Sequence, residues 1–329
     1  MWESLLFSLE AITPIFVLVA LGYLLKRAHL ANADFCKMAN KLVFRVFLPA
    51  NLFLNVYKIP DLADIDFGYI GYALGVVAVL FLCGIPAVML VTKHPERRGP
   101  TLQVVFRSNF ALVGIPLAEA LFGGGGALVA TLLSALVIPL YNVLAVISLS
   151  IFSKSGSKPS PKKILFDIVK NPLICSIVAG LVALGIRAIF ANSGITWRLS
   201  DVAPLMTSLQ YLSNVATPVA LLVLGMQFEF SAVRALRREI IFGTVARVVM
   251  APLVGVGVAF LFFRNTFSAV HFAAFVALFA TPVAVSSVPM TQEMGGDTAL
   301  AGQFVVFTTL LSALSIFLAS FLLRLAGVL

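Results

Sequence analysis

Apolar residues fill this chain in long runs, and the polar stretches between them are short. A run of about 20 apolar residues is long enough to cross a bilayer as a helix. The pattern predicts ten such helices: Leu5–Leu25, Ala39–Tyr57, Phe67–Val91, Thr101–Phe122, Ala127–Phe152, Pro172–Phe190, Ala203–Phe228, Ile240–Phe263, Val270–Thr291 and Ala299–Leu325. The fold class that follows is an all-α polytopic membrane protein. The fourth run departs from its own pattern. RSNFALVGIPLAEALFGGGG (Arg107–Gly126) holds the polar Ser108 and Asn109, the helix-breaking Gly114 and Pro116, the ionisable Glu119 and a run of glycines. Proline inside a helix removes a hydrogen bond and clashes one turn back. In lipid, a freed backbone group must find protein or a water-lined cavity. The stretch is therefore expected to kink against neighbouring helices or to line a polar site.

Composition supports the membrane reading. Of 329 residues, 60% are hydrophobic and only 11% charged, against about 25% charged in a soluble domain. The mean hydropathy is +1.05. A net charge of +9 does not call for nucleic acid here, because Lys and Arg gather in cytoplasmic loops. Lys26, Arg27 and Lys37 follow the first run, and Lys93, Arg97 and Arg98 follow the third. The loop Ser153–Lys163 follows the fifth, and Arg234, Arg237 and Arg238 the seventh. The opposite loops are poor in basic residues, and KIPDLADID after the second run is acidic. Placing the basic loops inside puts both termini outside the cytoplasm, in a cell (inner or plasma) membrane. The loop QEMGGD between the last two runs has no basic residue and gives no independent support. The first run lacks a basic leader and carries Glu3 and Glu10, so it is read as a retained helix and not a cleaved signal. Cys36, Cys83 and Cys175 are widely separated and read as small packing residues.

Prolines reveal a repeat. Cutting at the basic loop leaves five runs on each side: a first unit 1–152, a linker 153–163 and a second unit 164–329. TPIFVLVALG (Thr13–Gly22) echoes NPLICSIVAG (Asn171–Gly180). Pro49, Pro86 and Pro116 recur in order as Pro218, Pro252 and Pro289, at nearly constant separation. Five is odd, so the second copy enters the membrane from the opposite side. Inverted repeats of this kind characterise secondary transporters, whose substrates bind near the midplane on broken helices at the repeat interface. The fourth and ninth runs are the matching pair, the ninth carrying Pro282, Ser286, Ser287 and Pro289. Their crossing would present half-helix N–H groups, which suit an anion such as a carboxylate.

Each candidate residue has a bland reading beside the functional one. Asn109 is a substrate donor or a polar contact between helices. Gly114, Ile115 and Pro116 supply backbone at the break. Asn142, Ser286 and Ser287 are ligands or satisfy carbonyls that proline frees. Arg107 attracts substrate or snorkels to the interface. Arg247, inside the eighth run, is read first as half of an internal ion pair. Glu119 is a coupling carboxylate or an interfacial residue, with the interface preferred. The run Gly123–Gly126 lacks the ending of a phosphate loop and reads as an external turn. No protease, esterase or metal motif is present, so neither catalysis nor a cofactor is expected; coupling to protons or sodium stays open.

Several segments together resemble the auxin efflux carrier family, the PIN-like carriers and bacterial permeases. They are AITPIFVLVALGYLLKRAHL, NKLVFRVFLPANLFLNV, NFALVGIP, VKNPLICSIVAGL, LSNVATPVALLVLGM and TPVAVSS, in order over nearly the whole chain. The chain departs from the plant carriers in its short central loop and in Ser286 and Ser287. The resemblance implies an elevator-type transporter. Runs one, two, six and seven would form a scaffold and homodimer contact, and runs three to five and eight to ten a mobile domain. The crossing at Asn109–Pro116 and Pro282–Pro289 would hold a small organic carboxylate. The alternatives are a sodium-coupled symporter of a larger anion, like the distantly similar bile acid carriers, and a ligand-sensing receptor on a transporter fold.

Overall fold

The computed structural model describes residues 2–59, 67–152, 165–166 and 168–329. The expected linker 153–163 and most of the acidic loop after the second run lie outside the described residues. The regular elements within them are helices. In chain order they are α1 (Trp2–Arg27), α2 (Ala33–Leu42), α3 (Leu48–Tyr57), α4 (Phe67–Val91), α5 (Pro95–Phe106), α6 (Ile115–Ile151) and α7 (Pro172–Asn192). Then come α8 (Ala203–Gln227), α9 (Phe230–Ala235), α10 (Arg237–Val245), α11 (Val258–Phe263), α12 (Ala269–Phe279), α13 (Ser287–Glu293) and α14 (Thr298–Leu325). Among the described residues, six helical runs are long and apolar enough to cross a membrane. They are Phe67–Val91, Phe110–Ile151, Pro172–Asn192, Ala203–Gln227, Arg237–Phe263 and Thr298–Leu325.

Wide π turns join pieces of these rods. Val43–Phe47 links α2 to α3, and Phe110–Gly114 leads into α6. Ala246–Met250 and Leu253–Gly257 join α10 to α11. Pro49, Pro116 and Pro252 each follow such a turn by two residues. A π turn skips one hydrogen bond of the α ladder, which is what proline's missing N–H demands.

That geometry corrects where the fourth run breaks. The sequence placed the break at Gly114–Pro116. Here α5 stops at Phe106, the chain is extended at Arg107, and winding resumes at Phe110. Pro116 sits in the opening turn of α6, where its missing donor does little harm. The ninth run breaks over Ala280–Ser286, and Pro289 falls in the first turn of α13 for the same reason.

The glycine run makes the sharp turn expected of it. Phe122 and Gly123 leave helical geometry within α6, Gly123 at φ 59° and ψ −148°. Close helix contacts depend on small residues elsewhere. A Cβ on Gly22 would strike the Leu222 carbonyl of α8, and one on Gly225 the Val19 carbonyl of α1.

Polar contacts tie the ends together. Arg97 at the start of α5 reaches Glu239 at 3.2 Å and Asp297, the N-cap of α14, at 3.3 Å. The Asp297 N–H also donates to the Glu96 carbonyl. The loop before α14, silent by charge, therefore lies at the same end as Arg97. At the opposite end Arg187 donates to the carbonyls of Tyr57 and Ile59, and Lys58 donates to Gln210 at 2.7 Å.

Candidate functional site

The two breaks meet. Ser108 and Val283 pair as an isolated antiparallel bridge, and the Asn109 N–H donates to the Pro282 carbonyl at 2.7 Å. Neighbours satisfy the rest of the second break. Thr308 Oγ1 accepts the Val283 N–H at 3.1 Å, and Thr281 Oγ1 donates to the Ala277 carbonyl at 2.8 Å. Buried backbone away from water needs such partners, so two helices can stop inside the protein only where each break completes the other.

Arg107 sits at this crossing, 3% exposed. Its Nη1 donates to Gln103 Oε1 at 3.1 Å and Met290 Sδ at 2.8 Å. Its Nη2 donates to Asn142 Oδ1 at 2.9 Å and Ser286 Oγ at 2.7 Å. All four acceptors are neutral. Asn142 is held in turn by donating to the Ile138 carbonyl. Ser108 Oγ lies 3.3 Å from the Tyr141 hydroxyl. Asn109 is 8% exposed and its amide Nδ2 has no hydrogen-bond partner.

These groups line a cavity of about 270 Å³, with Arg107, Asn109, Tyr141, Asn142 and Ser286 on one wall and Asn51, Asn55 and Thr217 of α3 and α8 on the other. It adjoins a larger cavity of about 670 Å³ running toward Lys58 and Gln210, with Asn51, Asn55, Leu112 and Thr217 common to both. Pro116 lines that outer part.

Other predicted residues stand behind the walls. Gly114 is buried where a Cβ would collide with the Phe110 ring and the Ala277 carbonyl. Ile115 is half-buried, and Ser287 and Pro289 are buried in α13. Pro282 contributes its carbonyl to Asn109. Glu119 is exposed on α6 and lies away from the crossing cavity. Arg247 departs from its first reading as half of an ion pair. Its Nη2 donates to the carbonyls of Leu278 and Phe279, and no carboxylate among the described residues pairs with it. The π turn Ala246–Met250 aims it at the end of α12, which offers carbonyls and no acid.

The sequence reading missed Gln103, Tyr141, Met290, Asn51, Asn55 and Thr217. Asn51 and Asn55 carried a signal: two amides four residues apart share one helix face, unusual in an apolar run.

Buried polar backbone, a cavity between helices and long apolar runs define a multi-pass membrane protein built around an internal site. Residues 7–320 match the model of the family described as membrane transport protein. The chain belongs to that family, the auxin efflux carrier or PIN-like family its motifs resemble. It is 24% identical over 322 residues to an uncharacterized transporter of Methanothermobacter thermautotrophicus, covering 94% of this chain and 96% of that one. It is 26% identical over 250 residues to an uncharacterized transporter of Methanocaldococcus jannaschii, covering 73% and 74%.

Proposed function

We propose that the protein is a secondary transporter that moves a small organic carboxylate across the cell membrane by alternating access. The substrate binds at the crossing, between Arg107 and Asn109. One observation carries this reading: a buried guanidinium and an unpartnered buried amide share a cavity, and no carboxylate among the described residues pairs with either. A buried charge without a counter-ion is costly, and in a membrane it is functional by default. A ligand carboxylate supplies both the missing charge and the missing acceptor.

The proposal extends to architecture. Ten crossing segments form two inverted units, 1–152 and 164–329, with both termini outside the cytoplasm. Pro116 and Pro289 support the repeat, each lying in the first turn after its break. The segments of α1, α2, α3, α7 and α8 form a scaffold and a homodimer contact. The remainder forms the mobile domain of an elevator. Packing supports that division: α8 lies against α1, α2 and α3, and α7 against α3, whereas α12 lies against α6 and α5 against α4.

Uptake into proteoliposomes of a panel of labelled mono- and dicarboxylates tests the reading. At least one acid should accumulate, and its amide should not. Asn109 holds Pro282 by its backbone, so Asn109→Ala should leave the fold intact while raising KM. Wild-type uptake by Asn109→Ala would remove the site from this crossing. Replacing sodium by choline in the same assay separates an uncoupled or proton-coupled carrier from a sodium symporter.

A further inference from the structure

Arg247 does not itself line the crossing cavity, yet it is the largest fully buried side chain among the described residues, at 0% exposure. It comes from the rod Arg237–Phe263 and meets the C-terminus of α12, the half-helix that runs into the second break. The last four carbonyls of a helix need outside partners. For α12 the account is complete. The Val276 carbonyl accepts from the Ala280 N–H, and the Ala277 carbonyl from Thr281 Oγ1. Those of Leu278 and Phe279 accept from Arg247.

A neutral side chain could cap those two carbonyls, as Thr281 caps its neighbour. A guanidinium is a costly way to do so, because Arg247 Nε and Nη1 are buried with no partner. What a neutral cap lacks is charge. A helix C-terminus carries roughly half a negative charge. Left bare, the end of α12 would repel an anion at the crossing and draw a cation. The other half-helix ending there, α5, has Arg107 at its C-cap. Both negative ends at the crossing thus have an arginine, and no acid among the described residues pairs with either.

We infer that Arg247 is a positioning residue that sets the anion preference of the crossing. Its fixed charge cancels the negative end of α12, so a ligand beside Arg107 and Asn109 meets a net positive field. The inference rests on the carboxylate reading above and adds a residue that never touches substrate.

The test measures ligand-induced thermal shifts of the purified full-length protein in detergent. The probes are succinate against succinamide and phenylacetate against phenylacetamide. Wild type should prefer an acid to its amide. The preference should fall roughly tenfold in R247Q and in R247M, as expected for a charge at a buried helix end. It should persist in R247K, which keeps charge and loses the fork. A cap with only a structural role predicts the reverse: all three variants lower Tm and none moves the acid-to-amide ratio. Folded R247Q or R247M with the wild-type ratio would overturn the inference and leave the carboxylate site standing. Wild type with no preference for either acid would overturn both.

Discussion

At the scale of single residues, the crossing is organised by what Arg107 lacks. A guanidinium offers five N–H donors in a fixed fork, and here the fork spans three helices. It joins Gln103 on α5, Asn142 on α6 and Met290 on α13, with Ser286 at the edge of the break. Each partner contributes a dipole and none a full charge. Arg107 is therefore held in place before any ligand arrives, which lowers the ordering needed on binding. Arg107→Gln keeps some hydrogen bonding and removes the charge. The expected loss is about 2 kcal/mol, or roughly thirtyfold in apparent carboxylate affinity, the size of one charge-assisted hydrogen bond. Concentration dependence of uptake in proteoliposomes gives that number. An unchanged KM would assign Arg107 to holding the helices together.

At the scale of elements, much of this was legible and some was not. Runs of apolar residues located some helices closely: the third run coincides with α4, Phe67–Val91, and the sixth begins with α7 at Pro172, whereas the fourth and fifth runs share α6. Gly123 was legible as a turn because its backbone, at φ 59° and ψ −148°, suits glycine almost alone. Gly123→Ala should therefore destabilise the protein by about 1–3 kcal/mol. Thermal denaturation in detergent measures it, and an unchanged Tm would mean that the two arms of α6 relax without strain. The break at Ser108 was less legible than the prolines near it. Proline marks a missing donor, but the π turns at Phe110–Gly114 and Ala246–Met250 absorb that defect before it stops the helix. The helix stops instead where a long-range partner, the Pro282 carbonyl, takes the Asn109 N–H. Partners so far apart in sequence leave no local trace. The role of Arg247 was hidden likewise, since its acceptors are backbone carbonyls about thirty residues on.

At the scale of the whole molecule, the two ends differ. Toward Lys58 the crossing adjoins an open cavity of about 670 Å³. Toward Arg97 a second cavity of about 540 Å³ shares no lining residue with the crossing, and a cluster of amides beside it joins α13 to the α2–α8 pair. Asn40 Nδ2 donates to Gln292 Oε1 at 2.8 Å and to Gln227 Oε1 at 3.2 Å, and Gln292 Nε2 donates to the Lys37 carbonyl. Arg45 approaches Glu293 beside it at 3.5 Å. Gln292 is six residues beyond Ser286, so the helix that carries a cavity residue also carries the latch. On the proposed mechanism, exposing the crossing at the Arg97 end requires these amides to part. They are neutral, Asn40 buried and Gln227 and Gln292 half-buried, and each bond contributes only about 1 kcal/mol, which suits a contact made and broken in every cycle. Cysteines at positions 40 and 292, in a background with Cys36, Cys83 and Cys175 replaced, can be joined by a short bifunctional thiosulfonate reagent. Joined, the protein should stop transporting, and a reductant should restore uptake. A ligand added from the Lys58 end should still shift its Tm, because that cavity stays open. Full transport with the link complete would mean that the crossing is emptied without moving α13 away from α2, and the elevator reading would fail with it.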